Sequence, residues 1–106
     1  MTPAADTIAA IATPAGRGGI GIVRVSGPLC RTITAAISTA GIEPRRAAYR
    51  AFLRADGTLI DRGLVLYFAG PDTYTGEDVM EFHGHGGHVV THLVLQRVLE
   101  LGARPA

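Results

Sequence analysis

The sequence contains no lysine, so all ten of its basic residues are arginines. A P-loop needs a lysine to contact nucleotide phosphates, and Schiff-base catalysis needs a lysine amine, so this chain can support neither. Its single cysteine, Cys30, cannot form a disulfide within the chain, which favours a reducing compartment. No apolar run approaches the ~20 residues of a membrane span, and the first residues lack the basic start of a signal peptide. We therefore expect a cytoplasmic protein that makes no membrane contact.

Length and composition indicate one small folded domain. The chain has 106 residues, of which 47% are hydrophobic, so disorder is excluded and one modest core is expected. The net charge is +1, and the one local cluster of basic residues contains Arg45, Arg46, Arg50 and Arg54. Such a cluster is more often a solvated face than a nucleic-acid contact, which remains the minority interpretation.

The hydrophobic pattern predicts an α+β fold with a mixed, largely antiparallel sheet covered by helices. Predicted strands cover residues 7–13, 20–25, 47–54, 59–68 and 79–83, and predicted helices cover residues 28–40 and 88–101. In the second helix, Leu95 and Leu99 lie outside the main apolar stripe. We take these two leucines to indicate a second buried surface, supplied by a partner subunit.

A glycine-rich loop and two isolated charges are the candidate functional features. The loop includes Arg17, Gly18 and Gly19, and glycines there allow a ligand to approach the backbone closely. Arg24 and Glu81 each lie in the middle of an apolar strand, where a charge is costly unless something satisfies it. From the residues alone, a mutual salt bridge and a ligand site are equally good interpretations of this pair.

The remaining polar groups have simpler interpretations. His83, His85, His88 and His92 do not follow a recognised metal-binding spacing, so we predict no metal site. Cys30 is predicted to be a buried structural thiol. Glu77 and Asp78 are predicted to bind backbone amides in a turn rather than to act as a catalytic pair, and no catalytic residue is assigned.

Two long motifs carry a family resemblance. The first comprises Asp6-Thr7-Ile8, Ala12-Thr13-Pro14, Gly16 to Ile22, Arg24 and Ser26-Gly27; the second comprises Gly70-Pro71, Tyr74 to Val79, Glu81 and His85 to Gly87. In this order they resemble the N-terminal region of the MnmE (TrmE) family of tRNA modification GTPases, and the resemblance covers the chain from about Asp6. The chain departs from the family at Asp72-Thr73, where Asn-Ser or Lys-Ser is more usual.

The resemblance implies that residues 1–106 are an N-terminal tetrahydrofolate-binding and dimerisation domain. It implies a fold similar to the folate-binding domains of glycine-cleavage aminomethyltransferases, with Arg24 and Glu81 binding 5-formyltetrahydrofolate. Arg17, Gly18 and Gly19 are candidate loop contacts. Family members continue beyond the position of Ala106, so we expect the domain to be truncated there, with a further ligand, a lysine, beyond the end.

For the parent protein, the resemblance implies modification of the wobble uridine of tRNAs with a one-carbon unit from folate. It also implies a homodimer through this domain, cooperation with the flavoprotein MnmG, and GTP hydrolysis with magnesium and potassium in a separate domain. The fragment alone is expected to bind and dimerise without catalysis. Two alternatives remain open: a stand-alone folate-dependent enzyme resembling the aminomethyltransferases, and a purely structural dimerisation module.

Overall fold

The computed structural model describes residues 6–12, 19–38, 43–70, 73, 76–85 and 87–106. Within these ranges the elements are β1 (Ile8–Ile11), β2 (Ile20–Ser26), α1 (Cys30–Ser38), β3 (Ala47–Leu53), β4 (Leu59–Phe68), β5 (Val79–His85), α2 (His88–Glu100) and β6 (Arg104–Pro105). No helix among the described residues has the length and apolarity needed to cross a membrane.

The strands form a single mixed sheet in the order β3-β4-β5-β2-β1-β6. All neighbouring pairs are antiparallel except β1 and β6, which run parallel. The α+β class and the largely antiparallel sheet predicted from the sequence are therefore confirmed. The short strand β6 was not predicted, and the backbone N–H of Arg104 holds it in place by donating to the carbonyl of Thr7 at 2.7 Å.

One face of the sheet forms the core together with both helices. Strand residues alternate between faces, and cross-strand partners such as Val23 and Phe82 share a face. Phe82 meets Phe52 edge to face, with ring centroids 5.5 Å apart. The buried cluster on this side includes Val23, Val25, Phe52, Val65, Tyr67, Met80 and Phe82 from the sheet, with Cys30, Ile33 and Ile37 from α1 and Val94 and Val98 from α2.

The opposite face of the sheet carries half-buried and exposed side chains. Tyr49 is 61% exposed, Ile20 is 55% exposed and Leu64 is 42% exposed. Cross-strand pairing places these residues on the same side as the two isolated charges. We call this surface the open face and define it by Ile20, Ile22, Arg24, Tyr49, Leu64, Leu66, Glu81 and His83.

The connection from β2 to α1 explains the burial of Cys30. Gly27 has a φ of +137°, and a Cβ at this position would lie 2.6 Å from the Cα of Thr7, so the turn requires glycine. The hydroxyl of Thr7 accepts a hydrogen bond from the backbone N–H of Leu29 at 2.8 Å, just before α1 begins. Burial raises the pKa of the Cys30 thiol to about 12, and its sulfur lies 3.3 Å from the carbonyl of Val25. The prediction of a buried structural thiol is confirmed.

The interpretation of Leu95 and Leu99 as a second apolar surface of α2 is wrong. Both side chains are partly buried and pack against the core beside Val94 and Val98. A helix that packs on a sheet buries a stripe at least ~100° wide, which is broad enough to include the residues that flank its central line. The large exposed apolar residue of α2 is Val89, which is 73% exposed.

Candidate functional site

Arg24 and Glu81 lie directly opposite each other on the two central strands, β2 and β5. The Nε of Arg24 donates a hydrogen bond to Oε2 of Glu81 at 2.8 Å, and Nη2 lies 2.8 Å from the same oxygen in a salt bridge. Strand register creates this contact, because antiparallel partners on one face bring their Cβ atoms within ~5.5 Å. The mutual salt bridge considered in the sequence analysis is therefore present.

His83 is the second side chain that contacts the Glu81 carboxylate. It lies two residues further along β5, on the same face, and its Nε2 is 2.8 Å from Oε1 of Glu81. An ionised carboxylate only accepts hydrogen bonds, so Nε2 carries the proton and donates it. Burial alone would raise the pKa of Glu81, but the hydrogen bonds from His83 and Arg24 more than offset burial and leave the pKa below its usual value.

The three side chains differ in how far they are open to solvent. The side chain of Glu81 is 14% exposed, that of His83 is 20% exposed, and that of Arg24 is 40% exposed. The residues opposite His83 on the neighbouring strands are apolar, namely Ile22 on β2 and Leu64 on β4. The result is a charged, hydrogen-bonding centre in an apolar surround, which suits a flat ligand that carries polar groups along one edge.

A close approach of β4 to β5 helps to fix His83. A Cβ added at Gly63 would collide with the carbonyl oxygen of His83, so only glycine allows the strands this spacing. Sequence reasoning did not include His83 in the site. Its position two residues after Glu81 was the available signal, because residues at that spacing on a strand share a face.

Of the three candidate residues in the glycine-rich loop, only Gly19 is among the described residues. Arg17 and Gly18 lie outside the described residues. Gly19 is exposed and directly precedes Ile20, which pairs with His85 on β5. A Cβ at Gly19 would meet no heavy atom within 4 Å, so nothing in its surroundings requires glycine at this position.

The other histidines are separate from the Arg24–Glu81 centre. Asp61 on β4 accepts hydrogen bonds from the backbone N–H and the Nδ1 of His85, each at 2.8 Å. Burial would raise the pKa of Asp61, and these bonds more than reverse that effect and lower it. His88 and His92 are exposed on α2. Among the described residues, no group of three or more His, Cys, Asp or Glu side chains could hold a metal ion.

Asp78 has a structural role just before β5 begins. Its Oδ1 accepts a hydrogen bond from the backbone N–H of Gly70 at 2.9 Å, and its own carbonyl accepts one from Gly27 at 3.0 Å. The prediction that this carboxylate binds a backbone amide is confirmed. These bonds tie the start of β5 to Gly70 and to the turn at Gly27 that precedes α1.

Comparison with known proteins identifies relatives over the whole chain. A family model described as GTP-binding protein TrmE N-terminus matches residues 7–106. The tRNA modification GTPase MnmE of Pseudomonas paraeruginosa (strain DSM 24068 / PA7) is 58% identical over 106 residues, which are 100% of this chain and 23% of that protein. The protein of the same name from Stutzerimonas stutzeri (strain A1501) is 57% identical, and that from Pseudomonas aeruginosa (strain UCBPP-PA14) is 58% identical, with the same coverage.

The chain therefore spans less than a quarter of the length of the curated relatives that it matches. The family model covers all but its first six residues, and apart from Asp6 both motifs that carried the resemblance lie within the match. The chain belongs to the family of TrmE N-terminal domains.

Proposed function

We propose that this chain is the folate-binding and dimerisation domain of an MnmE-like, cytoplasmic tRNA modification GTPase. The parent protein would modify the wobble uridine of tRNAs with a one-carbon unit from folate, together with the flavoprotein MnmG. GTP would be hydrolysed with magnesium and potassium in a domain outside this chain. The relatives described above carry the MnmE name along the full length of this chain, which favours this proposal over an enzyme of the aminomethyltransferase type.

The observation that carries the proposal is the Arg24–Glu81 pair on the open face. The lowered pKa of Glu81 means that its carboxylate is ionised at neutral pH and acts as a hydrogen-bond acceptor. A pterin ring presents an N–H and an amino group side by side, and a carboxylate can accept both in parallel. The apolar side chains beside the pair, among them Ile22 and Leu66, offer a surface on which the flat ring can lie.

A chimera gives the fairest test of folate binding. This chain would replace the matching region of MnmE from Pseudomonas aeruginosa (strain UCBPP-PA14), so that the rest of that relative is present during the test. Isothermal titration with 5-formyltetrahydrofolate should show saturable binding, and the ligand should raise the melting temperature because it binds only the folded state. Absence of both heat and thermal shift in a folded chimera would contradict the proposal.

Dimerisation is proposed to use the open face, which places the folate site near the subunit boundary. Leu64 and its cross-strand neighbour Tyr49 are large and exposed, and a two-fold arrangement would bury them against their own copies. Sedimentation equilibrium of this chain should show a dimer at high micromolar concentration. Leu64→Glu should give a monomer, since it would strand a charge in an apolar contact. Val89→Glu, at an exposed position on α2, should remain dimeric.

Two results would overturn the proposed dimer. A wild-type chain that stays monomeric throughout this concentration range would exclude association through this domain. A Leu64→Glu variant that is folded and still dimeric would show that the open face is not the interface.

A further inference from the structure

The first two turns of α2 carry two histidines, His88 and His92, which we call the α2 histidine pair. They are four residues apart, a spacing that places side chains side by side on one helix face, with Cβ atoms about 5–6 Å apart. Both residues are exposed, and their ring centroids lie 6.2 Å apart with the ring planes tilted by 49°. Two imidazoles are therefore neighbours on a surface that solvent reaches.

The ring of His92 is held with one nitrogen ready to bind a ligand. Its Nδ1 lies 2.7 Å from the backbone carbonyl oxygen of His88. A carbonyl oxygen only accepts hydrogen bonds, so Nδ1 carries the proton, and in the neutral ring Nε2 keeps its lone pair. Metal-ligating histidines commonly donate their other ring N–H to a backbone carbonyl in this way, because the bond fixes the tautomer and the orientation of the ring.

The separation of the two rings suits a shared metal ion. Imidazole nitrogens bind metals at about 2.0–2.1 Å, so two imidazoles on one ion have ring centroids roughly 5–6 Å apart. The observed 6.2 Å lies just above this range. His88 is exposed, so its ring can rotate about the side-chain bonds without disturbing the core. A small rotation therefore brings both rings onto one ion.

The other potential ligands of the chain are engaged or buried. His83 is bonded to Glu81 and His85 to Asp61. Burial raises the pKa of the Cys30 thiol to about 12, so it does not supply a thiolate. A metal site was not predicted from the sequence, because the four histidines taken together match no known spacing. The structure separates them into two that bind carboxylates on the sheet and two that share a helix face.

The chemistry of the α2 histidine pair selects a class of metal. Imidazole nitrogen suits Cu²⁺, Ni²⁺ and Zn²⁺, with Cu²⁺ bound most tightly, whereas Mg²⁺ and Ca²⁺ require oxygen ligands. Among the described residues, no third side chain joins the pair in a metal-binding group, so water completes the coordination. The spacing equals that of the histidines in H-E-x-x-H, but Val89 occupies the position of the glutamate that acts there as general base. The pair is therefore suited to metal binding without hydrolytic chemistry.

We propose that His88 and His92 form a binding site for one divalent transition-metal ion, with Cu²⁺ preferred. The bound ion connects the first residue of α2 to a residue one turn later and so stabilises this end of the helix. The end has no side-chain cap hydrogen bond, since the cap residue is Gly87, and its first turn contains no acidic residue. The site lies on α2 and is independent of the folate site proposed above.

The test is titration of the 106-residue chain with Cu²⁺ in a weakly coordinating buffer, followed by isothermal calorimetry. The wild type should bind one Cu²⁺ tightly per chain and should not respond to Mg²⁺. His88→Gln and His92→Gln should each weaken binding at least about tenfold, because a single imidazole loses the gain from linking two ligands. His85→Gln removes an exposed imidazole that is not part of the pair, and should bind Cu²⁺ as wild type does.

A double variant tests whether the spacing itself creates the site. His88→Gln combined with Gln96→His moves the pair one turn along α2, to residues that are both exposed. Affinity should return to at least the wild-type level, since the positive end of the helix dipole, which opposes a cation, is then further away. Ni²⁺ at about a hundredfold excess over its dissociation constant should raise the melting temperature of the wild type by at least about 5 °C, and that of His92→Gln by clearly less.

A measurement without any variant locates the ion directly. Cu²⁺ is paramagnetic, so a substoichiometric amount should broaden the imidazole resonances of His88 and His92 before those of His83 and His85. Unchanged affinity in folded His88→Gln and His92→Gln would overturn the inference, as would broadening that begins at His83 or His85. One ion per two chains would show a bridge between copies instead of a pair within one helix, and absence of Cu²⁺ binding by the wild type would exclude the site outright.

Discussion

Replacing Glu81 with glutamine should weaken binding of 5-formyltetrahydrofolate to the chimera by about ten- to hundredfold, which corresponds to roughly 1.5–3 kcal/mol. The glutamine side chain has almost the same shape but carries no charge, and one of its two terminal atoms becomes a donor. It therefore cannot accept two parallel bonds from a pterin edge. Isothermal titration measures the loss, and Glu100→Gln is the control, because the Glu100 side chain is exposed on α2 and pairs there with Arg97, away from the open face.

The same variant separates ligand binding from a purely structural salt bridge. Because the pKa of Glu81 is lowered in the folded chain, its ionised form contributes stability that is present above about pH 4.5 and is lost as the pH falls further. Thermal melts of Glu81→Gln should show a smaller loss of stability in acid than wild type. A variant that loses stability but binds folate as tightly as wild type would show that Glu81 serves only the pairing of β2 with β5.

Truncating Phe82 to alanine should lower the free energy of unfolding by about 3–5 kcal/mol. Phe82 is 1% exposed, lies on the central strand β5 and packs edge to face against Phe52, so its removal leaves a cavity and also ends an aromatic contact. Domains of this size have only about 5–15 kcal/mol of stability, so this variant should be partly unfolded at 37 °C. Urea denaturation followed by circular dichroism measures the change.

Two control variants define what the Phe82 result means. Phe82→Leu keeps most of the buried volume and should cost clearly less than alanine. Tyr49→Ala removes an aromatic ring of similar size from a position that is 61% exposed in the single chain. At protein concentrations low enough to keep the chain monomeric, it should change stability by no more than about 1 kcal/mol. Equal losses for Phe82→Ala and Tyr49→Ala would contradict the assignment of the core to the helix-covered face.

The sequence was most informative where a local pattern determines the structure. Strand alternation and helical spacing predicted β1 to β5 and both helices, because apolar residues recur at the period of each element. The two-residue strand β6 has no such pattern, and it forms because the backbone N–H groups of Arg104 and Ala106 donate to the carbonyls of Thr7 and Ala9. Its formation depends on tertiary placement, which no local signal in Arg104 and Pro105 encodes.

The site could be predicted residue by residue but not as an arrangement. Arg24 and Glu81 stand out as charges in apolar strands, yet only the register of β2 against β5 makes them direct partners. That register follows from packing of the whole sheet rather than from either strand alone. For Leu95, helical periodicity alone gave the wrong prediction. The width of the buried stripe on α2 depends on the surface on which the helix packs, and the spacing of apolar residues carries no information about that surface.

The pairing of β2 with β5 also determines when the site can exist. Arg24 and Glu81 are 57 residues apart in the chain, so most of the domain must be synthesised and brought together before they meet. Contacts between such distant residues form slowly, because the closure of a long loop must precede any gain from them. A nascent chain that ends after the hairpin of β3 and β4 contains α1 but lacks Glu81. A ligand that needs this pair can therefore bind only after β5 has been made and has joined the sheet.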